Sequence, residues 1–392
     1  MHRLKALLLL ILLIAWPASG AKAMSMPSIS AQSAALIDLK TGTILAGINT
    51  DQRVYPASTI KVLTALLVLE NSAIDDSVTI SRRAQDQEGT SLYTREGEAY
   101  PVKDLLYAML VQSCNDAAVA LAEHVAGSVE AFAEMMNQRA AQLGARNSHF
   151  VNPSGLHDDQ NYTTAADMAL IFAGAMKNQT IRDITTTRIH WVTIGSGEER
   201  LLVSGNDLLV QYSDSVVGGK TGYTPEAGQT LLTGMRRGNM EVGVVVFKAQ
   251  GKAIFTDAAR LLDYAFSEWR TVPIVAEGQS VTATSVRYGQ PALLVADRTA
   301  LLTVPADTDL ESLKRDVQLD DSLQAPLAKG AIVGSVTYLL NGEEIANVPL
   351  RVATAIPRAW YTYWQVPLVL AVGYLGLGLR HRLKPSTHPL EG

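Results

Sequence analysis

Ser58 and Lys61 stand three residues apart in Tyr55-Pro56-Ala57-Ser58-Thr59-Ile60-Lys61, and the apolar run Val62 to Leu69 follows at once. At the start of a helix, residues at that spacing share one face with Cβ atoms about 5–6 Å apart, so the Lys61 amine can reach the Ser58 hydroxyl. Such a pair is a self-contained nucleophile and base. A serine hydroxyl is unreactive at its own pKa, and a lysine kept neutral by burial or by a second cation can take its proton. The apolar run supplies part of that burial. Serine is also a favoured helix cap, and Ser19 with Lys22 repeats the spacing inside an apolar leader, so the pair alone does not define a site.

Two other short motifs offer partners. Ser113-Cys114-Asn115-Asp116 is a polar break between Asp104 to Val111 and Ala117 to Val125, two apolar stretches whose pattern predicts buried helices. Such a break places side chains at a loop tip. Lys220-Thr221-Gly222 follows Gly218-Gly219 and opens a run of strand-forming sequence. Lys40-Thr41-Gly42 repeats the tripeptide, but in a predicted hairpin turn ahead of the serine helix. Gly219-Lys220-Thr221 also imitates the end of a phosphate-binding loop, yet the required earlier glycine is replaced by Asp214, which excludes nucleotide binding. Cys114 is the only cysteine, and the 7 histidines form no HExxH and no pair at helical spacing, so no disulfide, metal site or cofactor is expected.

The elements that must hold these motifs read in order. Ala34 to Asp38 and Thr43 to Ala46 form a predicted hairpin, then come the serine helix and the two helices around Ser113. Ser128 caps a helix to Leu143, and Thr164-x-x-Asp167 is a capping box opening a helix to Met176. Strand signals return at Arg188 to Ile194, Gly219 to Tyr223, Thr230 to Met235 and Glu241 to Lys248, followed by a helix from Phe255 to Trp269. Strands from both ends with helices inserted between them predict an α/β sandwich with one mainly antiparallel sheet. From Val272-Pro273 to Val352 the segments are short and β-rich, separated by Gly, Pro and Asp turns, which predicts a separate small β domain.

The 392 residues carry a net charge of -5 with no long basic stretch in the middle of the chain, which excludes nucleic acid as a partner. Charged residues are only 18%, a share that hints at segments meeting lipid. Residues 1–23 have basic residues, an apolar core and a small-x-small end at Ala21-Lys22-Ala23, the pattern of a secretory signal removed after Ala23. Residues 359–380 follow a short linker at 353–358 and are long enough to cross a bilayer as a helix, with Trp360, Tyr361, Tyr363 and Trp364 as an interfacial belt. Arg380, Arg382 and Lys384 then suit a cytoplasmic tail at 381–392. The expected location is the extracytoplasmic face of a bacterial cell membrane, anchored by this helix.

The three motifs in this order resemble the SxxK, SxN and KTG signature of penicillin-binding proteins and serine β-lactamases. The wording of the sequence is most similar to the low-molecular-mass D-alanyl-D-alanine carboxypeptidases, peptidase family S11. It includes Pro56-Ala57-Ser58-Thr59-x-Lys61, Ser113-Cys114-Asn115-Asp116-Ala117, Asn152-Pro153-Ser154-Gly155-Leu156 and Lys220-Thr221-Gly222-Tyr223-Thr224-Pro225-Glu226-Ala227-Gly228. The resemblance covers nearly all of residues 30–352. It implies an α+β, serine β-lactamase/transpeptidase-like domain at 24–271 and a small β-sandwich-like domain at 272–352, with the membrane helix beyond.

The resemblance also implies roles. Ser58 is the acyl-ester nucleophile, Lys61 its proton acceptor, and Ser113 a proton relay toward the leaving D-alanine. Asn115 bonds the substrate amides, and Lys220, Thr221 and Gly222 bind the substrate at its terminal carboxylate. The backbone N–H groups of Ser58 and Tyr223 make the oxyanion hole. The implied substrate is the peptidoglycan stem pentapeptide, and β-lactam antibiotics are implied covalent inhibitors. Tyr223 replaces a histidine common in the family, and Cys114 sits inside SxN. Two other functions stay open at this stage: a β-lactamase, for which no water-holding glutamate is evident, and a catalytically idle wall-binding scaffold.

Overall fold

The computed structural model describes residues 25–363 and 368–375. Strand β1 (Ser33–Asp38) is buried along its whole length and pairs with β2 (Ile44–Ile48) through the turn that holds Gly42. Ala35 and Ile37 enter one core while Ala34 and Leu36 enter another, because alternate strand residues face opposite sides. That periodicity makes β1 the middle layer of a sandwich.

The helical segment comes next. It comprises α1 (Lys61–Asn71), β3 (Ser77–Thr79), α2 (Arg82–Gln85), β4 (Ala99–Pro101), α3 (Val102–Val111), α4 (Asn115–Ala126), α5 (Val129–Gln142), α6 (Ala165–Ala175) and α7 (Gln179–Thr186). The caps act as the sequence predicts. Ser128 accepts from the Ala131 N–H, and Thr164 accepts from the Asp167 N–H. The chain continues through β5 (Ile189–Thr193), β6 (Glu199–Val203) and α8 (Leu208–Gln211) to β7 (Val216–Thr224), β8 (Gly228–Arg237), β9 (Met240–Ala249) and α9 (Ala253–Glu268).

The main sheet has the order β2-β1-β9-β8-β7, antiparallel throughout. Helix α9 packs on one face with Leu36, Val244 and Leu261 in its core; α1, α3, α4, α5 and α6 cover the other. Strand β7 is left at one end of the sheet with a free edge.

Strand β10 (Trp269–Val275) crosses Val272-Pro273 and pairs with β13 (Ala300–Pro305). Around it lie β11 (Ser280–Thr284), β12 (Ala292–Ala296), β14 (Lys314–Leu319), β15 (Ile332–Leu340) and β16 (Glu343–Val352), in a five-stranded antiparallel sheet of order β11-β12-β16-β15-β14. Its core, built on Leu294, Val336 and Leu350, is its own. Buried Asp38 ties the two regions together, with Oδ2 accepting from Thr271 Oγ1 at 2.8 Å and Thr303 Oγ1 at 2.7 Å.

The leader at 1–23 and the tail at 381–392 lie outside the described residues, as do 364–367 and 376–380 of the expected anchor. Where the anchor is described, a single helix from 359 to 380 is not what forms. Trp360–Thr362 is a 3-10 turn, residues 368–375 are helical, and no described helix is long and apolar enough to cross a membrane.

Candidate active site

Ala57 turns the chain into the site with its backbone in the left-handed region at φ +46, a strained conformation for a side-chain-bearing residue. Ala57–Ile60 winds as a 3-10 turn and Lys61 opens α1, so Ser58 precedes the α-helix instead of lying in its first turn. In 3-10 geometry residues i and i+3 eclipse, which stacks Lys61 over Ser58. Lys61 Nζ lies 2.9 Å from Ser58 Oγ and 2.8 Å from Asn115 Oδ1, and donates to the Ser154 carbonyl. The amine is fully buried. Burial, reinforced by the positive charge of Lys220, holds it well below the usual lysine range.

Ser113 adopts φ +69 between α3 and α4, and Asn115 is the first residue of α4. The Asn115 amide is used at both ends: Oδ1 receives Lys61 and Nδ2 donates to the Glu88 carbonyl at 2.7 Å. Beneath it, buried Asp116 accepts from Ser91 Oγ and from the N–H groups of Leu92 and Thr94, which pins the 91–94 loop. Cys114 is buried and its thiol is pushed up to about 12 by burial and by Asp116, so it stays protonated and inert.

Strand β7 closes the site from the other side. Lys220 Nζ donates to Ser113 Oγ at 3.0 Å and to the Thr221 carbonyl at 2.8 Å, and burial lowers its amine to about 7. Gly222 sets the distance between strand and nucleophile. A Cβ there would fall 2.7 Å from the Ser58 nitrogen and 2.5 Å from Thr230 Oγ1, so only glycine lets β7 run this close to the serine turn.

The resulting cleft has a volume of about 510 Å³, and Ser58, Ser113, Thr221, Gly222 and Tyr223 line it. Of the residues singled out by sequence, Lys61, Asn115 and Lys220 sit behind this wall, each no more than 6% exposed. They meet the lining residues by hydrogen bonds. A hydroxyl with a buried amine at its back and a close-packed glycine strand at its front is arranged for acyl transfer.

The comparisons with known proteins decide the family. Residues 20–251 match the model described as D-alanyl-D-alanine carboxypeptidase, and residues 269–358 match that of the penicillin-binding protein 5 C-terminal domain. The chain belongs to the D-alanyl-D-alanine carboxypeptidase family. Among its relatives, the D-alanyl-D-alanine carboxypeptidase DacF of Bacillus subtilis is 32% identical over 340 residues, 84% of this chain and 87% of its own. DacA of Haemophilus influenzae is 33% identical over 350 residues, 85% of this chain and 87% of its own. The solved structure of penicillin binding protein 5 from Haemophilus influenzae superposes with a TM-score of 0.69 at 32% identity, covering 85% of this chain and 99% of that one.

Within this D-alanyl-D-alanine carboxypeptidase, the cleft also contains groups that the motifs did not announce. Lys252, Asp207 and Phe255 line it, and Lys252 Nζ pairs with Asp207 Oδ2 at 3.1 Å. The Lys252 side chain is 88% exposed, whereas Lys220 is buried behind the cleft wall. Gly251-Lys252 ahead of a helix was the only signal, and it reads equally well as a helix entry. The Ser154 carbonyl was hidden for another reason: a backbone acceptor leaves no mark in residue type, and only Asn152-Pro153-Ser154-Gly155 hints at it. Gly155 permits the approach, since a Cβ there would collide with the Ala57 carbonyl at 1.9 Å.

Proposed function

We propose that Ser58 attacks the penultimate D-alanine carbonyl of a peptidoglycan stem pentapeptide and that the chain releases the terminal D-alanine through an ester on Ser58 Oγ. The observation that carries this is the fully buried Lys61 amine 2.9 Å from Ser58 Oγ with its pKa lowered. A neutral amine there has two N–H groups for Asn115 Oδ1 and the Ser154 carbonyl, and a lone pair left for the serine proton. Attack moves that proton to Lys61, and the new oxyanion faces the Ser58 and Tyr223 backbone N–H groups. Collapse breaks the C–N bond. The proton that Lys61 took passes to the departing amine by way of the Ser113 hydroxyl, which Lys220 holds in place, and Lys61 is neutral again. Water then enters, Lys61 takes its proton, and the ester is hydrolysed with Ser58 restored.

The leaving D-alanine carries a carboxylate, for which Thr221, Lys220 and the exposed Lys252 are the available donors. Asn115 assists chiefly by holding Lys61, since both ends of its amide are engaged. β-Lactams acylate the same serine. Residues 24–271 form the peptidase domain and 272–352 the β-rich domain. Export through the 1–23 leader and membrane attachment through 359–380 complete the reading, the attachment supported by the exposed Leu368, Val369, Leu370, Val372 and Leu375 of the helical residues 368–375.

The test mixes the purified protein with labelled penicillin, alongside Ser58→Ala, and follows label and D-alanine release from diacetyl-lysyl-D-alanyl-D-alanine. Stable label on the wild type with D-alanine released is the expected result. Ser58→Ala loses both, with turnover falling on the order of 10⁴-fold or more. Rapid loss of label with penicillin destroyed and no D-alanine indicates a β-lactamase; no label at all leaves an idle scaffold.

A further inference from the structure

A second cavity of about 210 Å³ lies beyond the other end of the serine turn. The stretch that leads into Ser58, from Gln52 to Tyr55, forms one wall; the β7–β8 turn with Glu226 and Ala227 forms another; Gln32 and Lys248 complete it. Its charges are mixed, with Arg53 and Lys248 positive and Glu226 negative. Arg53 is fixed, its guanidinium 3.2 Å over the Tyr162 ring and donating to the Asp159 carbonyl at 3.3 Å. Neither the Glu226 carboxylate nor the Lys248 ammonium has an ion pair among the described residues. Lys248 holds the left-handed conformation at φ +57, and its exposed side chain lines the cavity.

The cavity lies in line with the substrate. Strand β7 has a free edge along which an extended peptide can lie, and Gly222 places that edge against Ser58. The leaving D-alanine belongs at the Thr221 and Lys252 end. The part of the peptide retained on Ser58 therefore runs the other way, past Tyr223 and Thr224 toward Glu226. Three residues of extended chain span about 10 Å, so a long side chain on the residue just before the D-alanyl-D-alanine pair reaches the cavity.

We propose that this cavity is a specificity subsite for a stem residue whose side chain ends in both an amine and a carboxylate, the amine meeting Glu226 and the carboxylate meeting Lys248 and Arg53. The inference rests on Ser58 being the acylated residue. A side chain with one charge leaves one of the unpaired groups without a partner, so the pocket discriminates by complementarity.

The experiment compares kcat/KM for D-alanine release from two pentapeptides, L-alanyl-γ-D-glutamyl-X-D-alanyl-D-alanine, with X either diaminopimelate or Nε-acetyl-lysine. Full-length wild type, Glu226→Gln, Lys248→Asn and the double variant are used; both sites are exposed, and asparagine tolerates a positive φ. The expected ratio is about tenfold in favour of diaminopimelate for the wild type, falling to within about twofold in the double variant. A wild-type ratio near one, or a ratio that survives the double substitution, overturns the subsite while leaving Ser58 chemistry intact. Release of D-alanine from neither peptide overturns the Ser58 assignment and the subsite with it.

Discussion

Lys40-Thr41-Gly42 and Lys220-Thr221-Gly222 are the same three residues in two settings. The first occupies the β1–β2 turn. Its backbone is held by Asp38 Oδ1, which accepts from the Lys40 and Thr41 N–H groups at 2.8 Å, while Lys40 Nζ reaches out to the Asn239 carbonyl. The second lies inside β7, where Lys220 is 3% exposed and bonded to Ser113 across the cleft. One lysine hangs on a solvated turn and reaches only the β8–β9 turn; the other is desolvated and serves the nucleophile. The tripeptide acquires chemistry only from the strand edge that presents it.

Exchanging the two lysines for alanine sharpens that contrast most. Lys220→Ala is expected to lower kcat/KM for D-alanine release by roughly 10²- to 10³-fold, because a buried donor aimed at the reacting region is lost. Lys40→Ala is expected to stay within about twofold of wild type, as a surface substitution of under about 0.5 kcal/mol. Steady-state kinetics on both variants decides it, and equal losses would dissolve the distinction.

The anchor of the first tripeptide behaves in the opposite way. Asp38→Ala removes the acceptor of Lys40, Thr41, Thr271 and Thr303 and leaves buried donors unmatched. A stability loss of about 2–4 kcal/mol is expected in urea, with penicillin acylation retained while the protein is folded. Acylation lost in the folded variant would mean that this turn reaches the cleft after all.

The glycines divide along the same line. Gly42 has φ +75 and open space around its missing Cβ, whereas Gly222 is crowded by Ser58 and Thr230. Gly42→Ala is therefore expected to cost about 1 kcal/mol of stability through backbone strain and no activity. Gly222→Ala is expected to slow acylation tenfold or more, since a ~1 Å displacement of reacting groups costs about 10² in rate. Thermal unfolding and acylation rate, measured on both, separate the two.

These contrasts show what the chain announces and what it conceals. The three motifs, their order and the caps at Ser128 and Thr164 were legible because each depends on residue type at a fixed local spacing. The strands that frame the site were read within a few residues for the same reason, hydrophobic alternation being local. Less was legible where partners are distant. In the β-rich region Glu343, Glu344 and Pro349 break the local strand pattern of β16, and register with β15 sets the strand instead. The burial of Asn115 and Lys220 behind the cleft wall comes from packing between α4, β7 and the 88–90 loop, separated by many residues. Lys252 was invisible because a lysine before a helix is ordinary until a cleft forms around it.

The last contrast concerns protons on Lys220. Its folded-state pKa of about 7 lies below the ordinary lysine value of 10.5 because burial disfavours the ammonium. Between those values the unfolded chain binds more protons than the folded one, so this group makes stability rise with pH across that window. Below about pH 7 both states carry the proton and the burial cost is fully present; above about 10.5 it is gone. Lys220→Met removes this dependence. Denaturation in urea at several pH values from 6 to 10 is expected to show the advantage of the Met variant over wild type shrinking as pH rises, by at most about 1.4 kcal/mol per pH unit. Lys40→Met is the reference for removing one lysine from the chain. Parallel curves for wild type and Lys220→Met would mean that the amine stays charged beside Ser113, and the second tripeptide would then act on Lys61 as a fixed cation at every pH where the enzyme works.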